Sequence, residues 1–181
     1  MHFVYIVAAT LPAILILFYV YKQDKFPEPR AIVIKTFLFG CGITLALKLL
    51  IPAFDDYSQK YFTGETYYFF DSFIRAAFLE ELFKLFVLVF YCSRKTEFDE
   101  PMDGLVYGVA VSLGYAAYEN IEYVLYAYNE PSFHLAYVRA LSAVPMHALV
   151  GVIMGFLITQ SIFEEKHNYL NLFLALSIPT L

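Results

Sequence analysis

At 181 residues, 60% of them hydrophobic and 16% charged, the chain is one domain by length but lies outside the soluble class, where charged residues run nearer 25%. A mean hydropathy of +0.61 and several apolar runs near 20 residues point to an all-α, polytopic transmembrane bundle. The net charge of −5 says little by itself, but no basic cluster interrupts the chain, which excludes nucleic acid as a partner.

A first span is predicted over 2–21, with Pro12 inside it. A cleavable signal peptide carries positive charge ahead of its apolar run. Here Lys22, Lys25 and Arg30 follow it, so the run reads as an uncleaved anchor with its N-terminus outside. Pro27 and Pro29 keep the next connection non-helical. The second span, 31–51, is expected to close at Pro52, with Lys35 and Lys48 near its two ends, where long side chains snorkel. A polar, mostly acidic loop at 53–66 leads into the third span, 67–92 (YYFFDSFIRAAFLEELFKLFVLVFYC).

That third run organises the chain, because Glu80, Glu81 and Lys84 stand at its centre. A charge at mid-bilayer costs at least ~2.5–3.5 kcal/mol on insertion scales, so these three are expected to face a protein-lined polar cavity. Beyond a short loop at 93–101, the fourth span, 102–127, carries Gly104, Gly108 and Gly114, then Glu119, Asn120 and Glu122. The fifth, 134–162, holds Arg139, Pro145, His147, Gly151 and Gly155. A loop at 163–169 opens a sixth apolar run, 170–181, about a dozen residues and too short to cross. Five full spans and the start of a sixth thus form a single membrane-embedded domain over 1–181. Lys22, Lys25, Arg30, Lys35, Arg94, Lys95 and Lys166 fall on one side of these spans, against Lys60 and the span-end Lys48 on the other. The positive-inside rule makes the first side cytoplasmic. Cys41 and Cys92 lack the His or CxxC company that thiol or metal chemistry wants, and are expected to be inert, unpaired thiols.

Lys84 stands at i+4 from Glu80 and i+3 from Glu81, so it can pair with either. The two glutamates lie ~100° apart around a helix and cannot face one small site equally. One is expected to face the chemistry while the other is held in place; a purely structural ion pair leaves the second unexplained. Glu119 and Asn120 sit a little beyond mid-membrane, with Glu122 a turn further out, and a hydrogen-bonded core pair is their plainest reading. His147 is the one histidine placed deep in a span; a core histidine bonded to a neighbour is the alternative to a metal ligand. Arg139, near its span end, either snorkels or pairs with Glu119 or Glu122. His147, Gly151 and Gly155 share one helical face, so the face that packs closely through small residues also carries the imidazole. Carboxylates and an imidazole at one depth fit three classes of function: proton or ion translocation, intramembrane hydrolysis, and a ligand-binding sensor.

The motifs Glu80-Glu81-Leu82-Phe83-Lys84, FDEPMDGLVYG (98–108), SLGYAAYEN (112–120), VRA (138–140) and HALVGVIMGF (147–156) resemble the PrsW family of bacterial intramembrane proteases, distant relatives of the CAAX prenyl endopeptidases. The resemblance implies a multi-pass protein of the bacterial plasma membrane. Its activity would be the first, site-1 cut in a single-span anti-sigma factor, leading to release of an extracytoplasmic-function sigma factor. The family's essential acidic pair falls on Glu80 and Glu81, and further motif positions fall on Glu119, Asn120 and His147. Two mechanisms follow. In one, His147, Glu119 and a further histidine hold a divalent ion, with zinc expected; Glu80 or Glu81 is the general base, and Asn120 or Arg139 stabilises the oxyanion. In the other the glutamate pair activates water without metal. The family continues past a segment like Ser177–Leu181 into a sixth helix with an HGxYD-type motif. The further histidine is therefore expected beyond Leu181, and the 181-residue form is expected to be inactive.

Overall fold

The computed structural model describes residues 2–128, 130–163 and 168–180, and every element among them is helical. Helix α1, His2–Gln23, runs through Pro12, and a connection containing Pro27 and Pro29 leads to α2, Arg30–Tyr61. The expected third span is an α–π–α succession end to end: α3, Gly64–Phe69, a π-helical stretch, Phe70–Phe78, and α4, Leu79–Phe90. A 3-10 turn, Cys92–Arg94, follows. Then come α5, Pro101–Tyr126, α6, Phe133–Leu141, α7, Ala143–Phe163, and α8, Asn168–Thr180. Lys166 and His167, with the rest of 164–167, lie outside the described residues, as does Leu181.

Among the described residues three segments can cross a membrane by length and composition: His2–Gln23, Arg30–Tyr61 and the joined α6–α7 unit Phe133–Phe163. The 26-residue α5 is long enough to cross but carries Asp103, Glu119, Asn120 and Glu122. It has little need of lipid compatibility, because α1, α2 and α7 pack around it and every residue from Val106 to Ala117 is buried. The outer helices do face the surroundings with apolar groups: Phe3, Leu15, Phe18, Leu38 and Leu49 are all more than half exposed. Water would penalise such a surface, whereas acyl chains accept it.

Glycines set how closely α5 and its neighbours approach. A methyl group on Gly108 would collide with the carbonyl of Gly151, and one on Gly151 would lie 2.5 Å from the carbonyl oxygen of Gly108. Gly104 and Gly155 repeat this contact about one turn along. The seam between α5 and α7 is thus backbone against backbone, as the small-residue spacing implies. A second seam joins α5 to α2, where Gly114 abuts the backbone of Phe37 and Gly40 abuts the carbonyl of Val111.

Two boundaries differ from the sequence expectation. Helix α2 does not close at Pro52 but continues to Tyr61, reducing the expected loop at 53–66 to Phe62 and Thr63. A proline forfeits one hydrogen bond and crowds the carbonyl four residues back. The helix absorbs that cost, and beyond it Tyr57 packs against the rings of Tyr61, Phe62 and Phe70. The fifth span, in turn, is two helices broken at Ser142. Pro145 has no N–H to offer the carbonyl of Leu141 and its ring crowds that same group, so α6 stops at Leu141.

Candidate active site

One turn of α4 supplies the first three groups. Lys84 is fully buried, and its ammonium donates to Oε1 of Glu81 at 2.6 Å. It also lies 3.3 Å from Nδ1 of His147 on α7 and 4.5 Å above the ring centre of Tyr115 on α5. An unpaired ammonium at this depth would be untenable, and the i+3 carboxylate satisfies it. Glu80, about 100° further round the helix, is left to line a cavity of about 230 Å³ together with Tyr115, Glu119 and Glu122.

The second group of residues comes from α5 and α6. With the Lys84 ammonium donating to Nδ1, a neutral His147 carries its proton on Nε2, which faces Oε2 of Glu119 at 3.4 Å. The same carboxylate oxygen accepts a short hydrogen bond from Nη2 of Arg139. Nε of Arg139 donates to Oδ1 of Asn120 at 2.5 Å, and Asn120 Nδ2 donates to the Ala9 carbonyl of α1 at 3.2 Å. The guanidinium lies 4.0 Å over the Tyr123 ring. A continuous chain of polar contacts therefore runs Glu81–Lys84–His147–Glu119–Arg139–Asn120–Ala9, drawing on α4, α7, α5, α6 and α1.

All six residues singled out in the sequence lie in this chain or in the adjoining cavity. Arg139 pairs with Glu119 and not with Glu122, whose partner is Lys48 at the cavity's rim. Two participants were missed. Tyr115 is 4% exposed, with its ring 5.5 Å from that of His147; its position four residues before Glu119 was the available signal. Lys48 reads as a snorkelling residue until α2 is seen beside α5.

The donors also bear on metal binding. Two ligands ~2.1 Å from an ion at a tetrahedral angle sit about 3.4 Å apart, the separation of His147 Nε2 from Glu119 Oε2. The spacing suits a zinc-sized ion, for which Nε2 would have to give up its proton and Arg139 competes for the shared oxygen. Among the described residues a tighter group of three donors lies elsewhere, at Asp24, Glu100 and Asp103, ~24 Å along α5 from Glu119 at 1.5 Å per residue.

A family model described as the PrsW family intramembrane metalloprotease matches residues 28–181. A Protease PrsW of Bacillus subtilis is 37% identical over 99% of this chain and 79% of its own length. One of Oceanobacillus iheyensis is 35% identical over 96% and 77% respectively, and one of Clostridioides difficile 29% identical over 96% and 73%. No solved structure matches.

Proposed function

We propose that this chain, which belongs to the PrsW family of intramembrane metalloproteases, makes the site-1 cut in a single-span anti-sigma factor of the bacterial plasma membrane. Membership carries the coarser statement, an intramembrane peptidase. The observation that carries the mechanism is the division of labour between the adjacent glutamates: Glu81 is tied to Lys84 while Glu80 lines the cavity.

In this reading Glu80 is the general base, taking a proton from the water that attacks the scissile carbonyl and returning it to the leaving amine. Glu81 is a positioning residue that keeps Lys84 charged and held beside His147. The Arg139 guanidinium, fixed by Asn120 and by the Tyr123 ring, stands ready to stabilise the oxyanion of the tetrahedral intermediate. Asn120, 1% exposed and bonded on both sides, holds Arg139 against α1. His147 Nε2 and Glu119 Oε2 would hold a divalent ion, for which zinc is our assignment; the imidazole proton would then sit on Nδ1, and Lys84 would pair with Glu81 alone. When bound, such an ion lowers the pKa of its water towards ~7 and polarises the carbonyl.

The test reconstitutes the full-length protein in vesicles with a tagged single-span anti-sigma factor, and measures bound metal in parallel. Cleavage by wild type, lost in Glu80→Gln, with stoichiometric zinc lost in His147→Ala, supports the whole reading. Cleavage that persists in Glu80→Gln removes the assigned base. Proton flux without any cleavage by folded wild type would sink the peptidase mechanism and favour a transporter.

A further inference from the structure

The FDEP motif has no part in the polar chain described above, yet it brings acids together at the other end of α5. Glu100 is the N-cap of α5 and Asp103 its third residue, forming a capping box in which Oδ2 of Asp103 accepts from the backbone N–H groups of Asp99 and Glu100 at 2.9 and 2.7 Å. Asp24, from the α1–α2 connection, joins them, and one ligand oxygen from each of the three lies within 4.8 Å of the others. Oδ1 of Asp24 accepts from the N–H of Phe26 at 2.9 Å, while its Oδ2 is buried without a partner.

Capping accounts for Glu100 and Asp103 but not for a fourth acid. Glu28 is 3% exposed and its carboxylate adjoins Asp103 and the hydroxyl of Tyr107, yet neither of its oxygens finds a partner in hydrogen-bond geometry. Its place is fixed by its backbone, whose carbonyl accepts from the Tyr21 hydroxyl at 2.8 Å. Among the described residues no basic side chain pairs with any of the four acids. Three of the bases at this end lie over aromatic rings instead: Lys22 over Phe18, Arg94 over Phe90 and Lys95 over Tyr91. Buried carboxylates close together need protons, a basic partner or a cation, and oxygen-only donors select a hard one.

We propose that Asp24, Glu28, Glu100 and Asp103 form a second metal site, separate from His147 and Glu119, that binds a hard divalent cation of the Mg²⁺ or Ca²⁺ class and clamps the α1–α2 connection to the start of α5. The site is structural, and its occupancy is independent of the peptidase reading.

The test melts the full-length protein in detergent at pH 7.5, stripped with chelator, then with Mg²⁺, Ca²⁺ or Zn²⁺ added singly. Saturable stabilisation by several degrees with Mg²⁺ or Ca²⁺ is expected. Glu28→Gln and Asp24→Asn should each weaken that response at least tenfold while melting no lower than wild type without cation, since each removes a buried unpaired charge. Electron paramagnetic resonance with Mn²⁺ counts the ions bound and should show one fewer in either variant. Should Glu28→Gln not fold, Asp24→Asn decides by the same two readouts. The proposal is overturned if wild type shows no response to the hard cations, if both variants respond as wild type does, or if Zn²⁺ alone stabilises.

Discussion

Adjacent glutamates with unequal surroundings make unequal predictions. Glu80→Gln removes a group that lines an open cavity, so activity should fall ~10²–10⁴-fold while the melting temperature moves little. Lys84→Met leaves the Glu81 carboxylate buried and unpaired, and should cost ~3–5 kcal/mol, seen as a lowered melting temperature in detergent whatever happens to activity. A drop in stability for Glu80→Gln as large as that for Lys84→Met would erase the proposed distinction. Glu28 gives a pH signature of its own. Burial, followed by the charge of Asp103 and more weakly that of Glu97, outweighs the Tyr107 hydroxyl and lifts its pKa from 4.5 to about 7. The folded state then holds a proton that the unfolded state releases, so stability contributed by this group is present below about pH 4.5 and lost as pH rises to about 7. A melting series in chelator should fall across that window, and Glu28→Gln should flatten it.

At the scale of elements, the α5–α7 seam holds His147 in place. Gly151→Val would force the two backbones apart, at ~1–3 kcal/mol for overpacking, and should also lower activity by withdrawing His147 from Lys84 and Glu119. Gly42→Ala is the control, since nothing lies within 4 Å of its added carbon. These pairings were legible in the sequence because GxxxG spacing and the i, i+4, i+8 register of His147, Gly151 and Gly155 depend on one helix alone. The Gly40–Gly114 contact was not, since neither glycine has a second glycine at four-residue spacing in its own helix. The break at Ser142 was missed for a related reason: Pro145 was visible, but proline does not announce whether a helix absorbs it, as α2 does at Pro52, or parts. The choice of Glu81 over Glu80 by Lys84 required knowing which side of α4 meets α5 and α7.

At the scale of the whole molecule, α1 lies wholly outside the span of the family match, 28–181, yet its Ala9 carbonyl anchors Asn120 and through it Arg139. The basic connection after α1 also fixes the expected orientation. With Cys41 and Cys92 replaced, a single cysteine at Lys25 should react with an impermeant maleimide only after the vesicle or cell is opened, and one at Lys60 should react from outside. The reverse pattern would invert the assigned topology and place the cavity on the cytoplasmic half.

With Glu80 as the proposed base, the glycine seams also restrict how a stretched peptide would reach it. Walls built from backbone lying on backbone at Gly104, Gly108, Gly151 and Gly155, and again at Gly40 and Gly114, have no side chains to swing aside. Opening either would mean translating whole helices and breaking every contact in the seam together. The wall formed by α2 and α4 is different, meeting through rings such as Phe39 against Tyr91 and bordering an apolar groove lined by Phe83, Phe86 and Phe90. Rotamers there can turn one at a time, so under the proposed mechanism it is the wall expected to serve as a door, with the other two as its frame.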